Sequence, residues 1–283
     1  MTAQFDWPGP PIHVIGMGMD AGAFGQSARS ALAEAELVIG AAAHLAAFPE
    51  LTAEKRPYPS PMSGLWDVLR ASAGRRIAIL ASGDPLFFGI GTTLLRHLSA
   101  EHLVFHPNVS SIQAAFARLG RPWQQAQWVS LHGRPLASLR AALHNNRLYA
   151  LLTDRDSSPA AIAQVLMETG FGESKLWVAE DLGTQTERFH SFQAAKLADA
   201  DTGFSPLNVV IVETCGPGGV LPEFPGIPDE RFSTGAEPGK GLLSKREVRL
   251  TILSLLAPQA GEVGWDVGAG CGGVSVEWAR WNP

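Results

Sequence analysis

Two glycine-rich loops, each placed directly after a short apolar run, are the feature that most constrains how this chain folds. The first system joins Gly16-Met17-Gly18 to Ser82-Gly83-Asp84-Pro85, and the second is Gly268-Ala269-Gly270-Cys271-Gly272, about two hundred residues further on. Each predicts a strand that ends in a turn where backbone approaches a ligand, because glycine tolerates turns that other residues do not. The pattern predicts one complete nucleotide-type binding unit, followed by the first elements of a second such unit.

Composition limits what these loops can belong to. The chain has 283 residues, of which 46% are hydrophobic and 17% charged, as expected for a globular protein with one large core or two medium ones. No apolar run approaches the roughly 18 residues that span a membrane, and no secretory signal pattern begins the sequence. The two cysteines have neither metal-ligand nor disulfide spacing. We therefore expect a cytoplasmic protein with no membrane partner and no metal site.

Charge is unevenly distributed along the chain. The net charge of −5 argues against nucleic acid as a partner, because nucleic-acid binders neutralise phosphates with clustered cations. No acidic residue occurs between Glu101 and Asp154, whereas that segment contains Arg118, Arg121, Arg134, Arg140 and Arg147. This local basic zone indicates a small anionic ligand, or alternatively arginines on solvated helix faces. Arg134, in the turn His132-Gly133-Arg134-Pro135, fits the ligand better than the others.

Apolar strand patterns alternate with amphipathic helical patterns, which predicts an α/β protein. Two α/β halves are expected, over residues 1–115 and 116–214. A helix over Ser157–Met167 has Ser157 or Ser158 as its cap and Pro159 near its first turn. Strands are predicted at Ile12–Gly16, Leu37–Ile39, Arg76–Ala81, Leu103–His106, Gln127–Leu131, Leu148–Thr153, Lys175–Glu180, Glu187–Phe192 and Leu207–Glu213.

The remaining residues predict a linker followed by a different domain. Glycine and proline interrupt the periodicity over residues 215–243, as in a linker. Residues 244–283 then predict a helix with Ser244 as cap and Glu247 closing a capping box. A short strand over Glu262–Asp266, the second glycine loop and a helix from about Gly273 follow.

The first loop system suits a cofactor without phosphate. A glycine loop after a strand lets backbone N–H groups approach polar ligand atoms, but the Gly-Lys-Ser/Thr ending of phosphate loops is missing. Asp84 can accept hydrogen bonds from a ribose or an amino group, and Phe87 and Phe88 can cover an aromatic base. The alternative is a helix-capping turn with phenylalanines in the core.

Residues 12–213 resemble the tetrapyrrole methylase superfamily. The resemblance is carried by Gly16-Met17-Gly18-Met19-Asp20, Ser82-Gly83-Asp84-Pro85, Pro107–Ala115, Leu152-Thr153-Asp154 and the strand beginning at Pro206. It implies two α/β domains with the active site in the cleft between them. Many relatives have Gly-Pro-Gly-Asp in the first loop, whereas this chain has Gly18-Met19-Asp20-Ala21-Gly22, so a role for Asp20 does not carry over.

The resemblance also implies the cofactor and the substrate class. S-adenosyl-L-methionine is the expected cofactor, and its expected contacts are Gly16, Gly18, Gly83, Asp84, Pro85, Leu86, Ser110, Ser111, Thr153 and Pro206. A small-molecule tetrapyrrole, a precorrin, is the expected substrate, bound by His132 and Arg134. His132, Asp154 and Glu180 are the candidates for a base that removes a ring proton. Enzymes of this kind are commonly homo-oligomers, which we expect here.

The C-terminal segment restricts the resemblance to one group within the superfamily. Ser244–Arg249 followed by Trp265–Gly272 is similar to the start of the second, Rossmann-like methyltransferase domain of the bifunctional precorrin C5,15-methyltransferases of cobalamin biosynthesis. This implies C5 methylation by the first two halves. The domain for C15 methylation and decarboxylation is expected to be incomplete, because its further strands are missing.

Two other functions stay open at this point. Some members of the superfamily modify RNA, although the charge of this chain opposes that interpretation. The chain could also be a non-catalytic fragment that binds partners, because the apolar helix face over Val248–Leu256 lacks a domain to cover it.

Overall fold

The first half is a parallel sheet with helices on its faces. The computed structural model describes residues 7–20, 22–200, 203–219, 221–222, 224–235 and 241–281. The strands of the first half are β1 (Ile12–Met17), β2 (Leu37–Gly40), β3 (Glu54–Pro57), β4 (Ile77–Ser82) and β5 (Leu103–His106). They pair in the order β3-β2-β4-β1-β5, all parallel. The helices between them are α1 (Gln26–Glu34), α2 (Ala42–Ala46), α3 (Leu65–Ala71) and α4 (Ile90–Leu95).

Burial on both faces explains why these strands are so apolar. Ile12, Val14 and Ile79 belong to a core on one face, and Ile15 and Leu80 to a core on the other. A parallel sheet covered on both sides needs nearly continuous apolar strands, which is the pattern of β1, β2 and β4. The glycine segments that follow β1 and β4 are thereby held at the ends of buried strands.

The second half contains a mixed sheet. Its strands are β6 (Gln127–Ser130), β7 (Leu148–Leu152), β8 (Lys175–Glu180), β9 (Arg188–Gln193) and β10 (Asn208–Glu213), in the order β6-β7-β10-β8-β9. The β6–β7 pair is parallel and the other pairs are antiparallel. The helices are α5 (Ser111–Leu119), α6 (Ser138–Ala142), α7 (Pro159–Glu168) and α8 (Ala194–Ala198).

Helix α5 connects the two halves. It begins directly after β5, yet Ile112, Ala115 and Phe116 share a core with β7, β8 and β10. A capping box begins the helix, because Ser110 accepts from the Gln113 N–H while the Gln113 side chain accepts from the Ser110 N–H. The boundary that we placed at residues 115 and 116 lies within this helix and remains a prediction.

The C-terminal segment forms a small folded unit around a buried arginine. Helices α9 (Arg246–Leu256) and α10 (Gly273–Trp281) pack against residues 226–232. The fully buried Arg249 donates to Glu277 at 3.0 Å and to Asp229 at 2.7 Å. Ile227 and Phe232, which lie in the segment interpreted as a linker, belong to the small core of this unit. The linker itself remains a prediction.

The predicted fold class is confirmed, and so are the nine predicted strands of the two halves. Strand β3 was missed because its sequence, Glu-Lys-Arg-Pro, is polar, as suits an edge strand. Ser158, rather than Ser157, caps α7. In the described part of the chain, no helix is both long and apolar enough to span a bilayer.

Two predictions for the C-terminal segment are wrong. Residues 262–266 form no strand, since no described strand pairs with them, and Val263 and Trp265 are almost fully exposed. The capping box at Ser244 is also absent: Lys245 is the residue before α9, and its side chain caps nothing. The Lys245 carbonyl accepts from the Arg249 N–H at 2.9 Å, so the helix begins one residue later than predicted, and the Ser244 carbonyl accepts from the Arg249 side chain instead.

Candidate active site

The strand order brings the carboxyl ends of two central strands of the first sheet together. From β1 the chain passes β4 to reach β2. From β4 it passes β1, in the opposite direction, to reach β5. The two connections run in opposite directions from adjacent strands, and ligands of open α/β sheets bind beyond the carboxyl ends of such strands. Gly16–Gly18 and Ser82–Asp84 are the segments at that point.

The two glycine segments touch through their backbones. The Gly83 N–H donates to the Met17 carbonyl at 2.7 Å, and a Cβ added to Gly16 would overlap the Gly83 carbonyl oxygen. Gly83 has a φ of +56°, and a Cβ there would lie 3.0 Å from the Ser110 Cα. Glycine is therefore required at both positions, and the segments form one surface with the start of α5.

Asn108 closes this surface, and the sequence analysis missed it as a site residue. Its side-chain amide donates to the carbonyls of Gly16 at 3.1 Å and Ala23 at 2.9 Å, and its Oδ1 accepts from the Val109 N–H. A Cβ on Gly18 would collide with the same amide. The signal that could have identified Asn108 is its position directly after β5, next to β1 in the sheet.

The Asp84 loop presents one carboxylate oxygen and several apolar groups. Asp84 Oδ1 accepts from the Leu86 N–H at 2.8 Å, while Oδ2 has no hydrogen-bond partner among the described residues. Pro85 is buried, and its carbonyl accepts from the Gly91 N–H. Leu86, Phe88 and the neighbouring Val109 are each between 45% and 48% exposed. The loop thus offers a polar acceptor beside apolar surface.

The second half contacts this loop system directly. A Cβ on Gly183, which follows β8, would collide with Met19 of the first glycine loop. The Phe87 ring lies edge-on to Trp128 of β6, with ring centroids 5.2 Å apart. Both contacts join loops of the first half to the second half, so the loops at the carboxyl end of the first sheet face the second half.

Thr153 and Pro206 lie together in the second half. The buried Thr153 hydroxyl donates to Asn208, two residues after Pro206. A cavity of about 170 Å³ beside them is lined by Pro206, Asn208, Asp154, Arg155 and the start of α7. The glycine loops do not line this cavity. The predicted cofactor contacts therefore form two groups. The second group is Thr153 and Pro206, and the first contains the other eight: Gly16, Gly18, Gly83, Asp84, Pro85, Leu86, Ser110 and Ser111.

Asp154 anchors the predicted substrate turn. Its carboxylate accepts from the Gly133 N–H at 2.8 Å and from both the N–H and the hydroxyl of Ser157. The Ser157 hydroxyl, followed by these backbone donors, lowers the pKa of Asp154 to about 2. His132 and Arg134, on either side of Gly133, are exposed. A carboxylate held in this way is a poor base, and its evident role is to fix the turn.

Glu180, another candidate base, is enclosed by its own half. Its side chain is buried and accepts from Arg188 at 2.7 Å and from the Ser205 N–H at 2.7 Å. The same carboxylate oxygen makes both contacts. Glu180 therefore links β8, β9 and the segment before β10.

The basic zone is neutralised by carboxylates that are distant in sequence. Arg118 pairs with Glu187, Arg121 with Glu213 and Arg140 with Glu168. Arg134 has no ion pair among the described residues. The structure thus separates the zone into three arginines that are paired with carboxylates and Arg134, which is exposed.

These features place the chain in a class of α/β proteins with two sheets, one parallel and one mixed. It belongs to the family of tetrapyrrole (corrin/porphyrin) methylases, which it matches over residues 11–198. Residues 238–283 match a precorrin methyltransferase domain. The resemblance inferred from the sequence is thereby confirmed.

Individual relatives agree with the family. The chain is 38% identical to the precorrin-6Y C(5,15)-methyltransferase [decarboxylating] of Sinorhizobium sp., over 97% of this chain and 66% of that protein. It is 34% identical to the cobalt-precorrin-7 C(5)-methyltransferase of Salmonella typhimurium, over 63% of this chain and 89% of that protein. The chain thus spans 66% of the length of the bifunctional relative.

A solved structure shows the same fold. Uroporphyrin-III C-methyltransferase from Thermus thermophilus, complexed with S-adenosyl homocysteine, superposes with a TM-score of 0.56 at 19% sequence identity. The superposition covers 72% of this chain and 92% of that one.

Proposed function

We propose that the two halves over residues 7–213 transfer a methyl group from S-adenosyl-L-methionine to C5 of a precorrin intermediate in cobalamin biosynthesis. One observation carries the proposal: in a member of the tetrapyrrole methylase family, the glycine segments Gly16–Gly18 and Ser82–Asp84 meet at the switch point between β1 and β4. The C5-methyltransferase relative, which this chain matches over 89% of its length, supports the position of methylation.

The residues at the switch point fit an adenosyl methyl donor. Such a donor has an aromatic base, ribose hydroxyls and an amino group, but no phosphate. Leu86, Phe88 and Val109 offer apolar surface to the base, and Asp84 Oδ2 can accept from a hydroxyl or the amino group. When bound, the donor supplies an electrophilic methyl group on a sulfonium.

The protein's task is mainly to bring the reacting atoms together. A pyrrole-conjugated carbon is already electron-rich, so positioning within about 3 to 3.5 Å of the methyl group supplies much of the rate enhancement. The precorrin carries several carboxylates, and Arg134 is the exposed arginine that we assign to them, with His132 beside it. Asp154 holds this turn through Gly133.

C15 methylation and decarboxylation form a separate part of the proposal. The names of the bifunctional relatives include these reactions, and residues 238–283 match the precorrin methyltransferase domain. We assign C15 chemistry to that domain and C5 chemistry to the first two halves. Within the described residues, the second glycine loop follows no paired strand, so the first loop system is the better formed of the two.

Binding of the donor tests the proposal. Calorimetric titration of the full chain with S-adenosyl homocysteine is expected to show a site that Asp84→Asn weakens by about tenfold, because a charged acceptor is lost. Asp67→Asn, which alters an exposed carboxylate paired with Arg70, is the control and should bind as the wild type does. Absence of binding to the wild type would refute the proposal.

Product analysis tests the reaction itself. Incubation with a precorrin substrate and S-adenosyl-L-methionine should add a methyl group to the precorrin, as read by mass spectrometry. Methyl addition would also exclude a non-catalytic fragment. Salt-sensitive binding of RNA, with no methylation of a precorrin, would instead favour the RNA methyltransferase alternative.

A further inference from the structure

A histidine that the sequence analysis did not single out lies at the carboxyl edge of the first sheet. His44, on α2 after β2, places its Nε2 3.5 Å from the hydroxyl of Ser82. Ser82 is the last residue of β4 and directly precedes Gly83 and Asp84. The contact lies at the protein surface, next to the surface on which the proposed methyl donor would bind.

The two ring nitrogens of His44 have different environments. Nδ1 is buried and has no hydrogen-bond partner among the described residues, whereas Nε2 faces Ser82 at the surface. Leu45, the next residue, is buried in the core beneath the sheet and holds α2 in place. The ring is thus held on its inner side, and Nε2 is the nitrogen that a ligand can reach.

Two of the three other candidate bases are committed to the fold, and the third, His132, lies exposed on the turn that we assign to the substrate carboxylates. Asp154 accepts hydrogen bonds from the backbone of Gly133 and Ser157, and Glu180 is buried against Arg188 and Ser205. Burial lowers the pKa of His44, which keeps the ring neutral and able to accept a proton at neutral pH.

We propose that His44 Nε2 is the base that removes the hydrogen from the methylated ring carbon. This inference rests on the proposed function. As the ring carbon bonds to the methyl group, the carbon–sulfur bond of the donor breaks and its electron pair stays on sulfur, which gives S-adenosyl homocysteine. The carbon–hydrogen bond electrons then restore the ring double bond, and the proton passes to Nε2.

The test compares His44→Gln with His97→Gln in the full chain. His97 is a half-buried histidine of the same half whose ring contacts that of Trp66, and it serves as the matched control. His44→Gln is expected to lower kcat by about 100-fold or more, the usual contribution of a general base. S-adenosyl homocysteine affinity, measured by calorimetry, should not change, which also reports that the variant is folded.

A second measurement distinguishes proton removal from substrate binding. With substrate deuterated at the methylated carbon, the primary isotope effect on kcat should be larger in His44→Gln than in the wild type. His44→Asn repeats both measurements should the glutamine variant fail to fold. Wild-type kcat in the variants, or a change in KM alone, would overturn the role of His44. Failure of the wild type to methylate would instead refute the proposed function, and this inference with it.

Discussion

At the scale of single residues, two glycines with similar backbone angles have different roles. Gly83 and Gly120 have φ values of +56° and +68°, but a Cβ on Gly83 would lie 3.0 Å from the Ser110 Cα, whereas a Cβ on Gly120 would meet nothing. The backbone angle alone therefore does not show which glycine the site requires. The close approach of a neighbouring segment shows which glycine the site requires.

Alanine substitution separates the two effects. Gly120→Ala should cost about 1 kcal/mol of unfolding free energy, the strain of a left-handed alanine. Gly83→Ala should cost at least about 2 kcal/mol, because it adds a collision with α5 to that strain. Urea denaturation measures both. Equal costs would mean that the contact between Gly83 and Ser110 does not constrain the loop.

At the scale of elements, two adjacent strands bring a pair of histidines together. His13 on β1 and His106 on β5 are linked ring to ring, with Nδ1 of one 2.9 Å from Nε2 of the other. Burial lowers the pKa of both, and the charge of His13 lowers that of His106 further. Two protonated rings cannot share this contact, so the pair is stable when at least one ring is neutral.

The pair makes stability depend on pH. Because the folded pKa values lie below the unfolded value of about 6.5, the unfolded chain binds protons first, and stability is lost as pH falls below about 6.5. The unfolding free energy should be lower at pH 5.5 than at pH 7.5, and less so in His106→Gln. The exposed His190 provides the control variant, His190→Gln. An unaltered pH dependence in His106→Gln would contradict this account.

At the scale of the whole molecule, the C-terminal unit depends on one buried cation. Arg249 connects Asp229 and Glu277, and its guanidinium lies 4.6 Å from the Phe232 ring centroid. Removal of one partner from a buried ion pair costs about 3 to 5 kcal/mol, because the other charge stays buried without compensation. This network ties residues 226–232 to α9 and α10.

Arg249→Met should therefore unfold the C-terminal unit and leave the first two halves folded. Limited proteolysis of the full chain should cleave residues 215–281 about 100-fold faster, while cleavage within the first two halves keeps its rate. Arg246→Met, which removes an exposed arginine of the same helix, should behave as the wild type. Faster cleavage throughout the chain would show that the unit also supports the first two halves.

Much of the fold follows from the sequence because strand and helix patterns are local. The apolar runs of β1 and β4 and the glycines after them indicate the parallel sheet and its loops without knowledge of distant contacts. Strand β3 was not predicted, because an edge strand needs no apolar face. The strand predicted over residues 262–266 failed for the opposite reason: its pattern is local, but a strand also needs a paired neighbour.

What the sequence by itself determined is the order of the elements, the glycine loops and, through their motifs, the family. What only the tertiary structure decided is how distant groups pair: Arg118 with Glu187, Asp154 with the turn at Gly133, His44 with Ser82. The reason is physical. Backbone propensity acts over a few residues, whereas the charge and hydrogen bonding of a side chain depend on groups that only the folded chain brings within 4 Å.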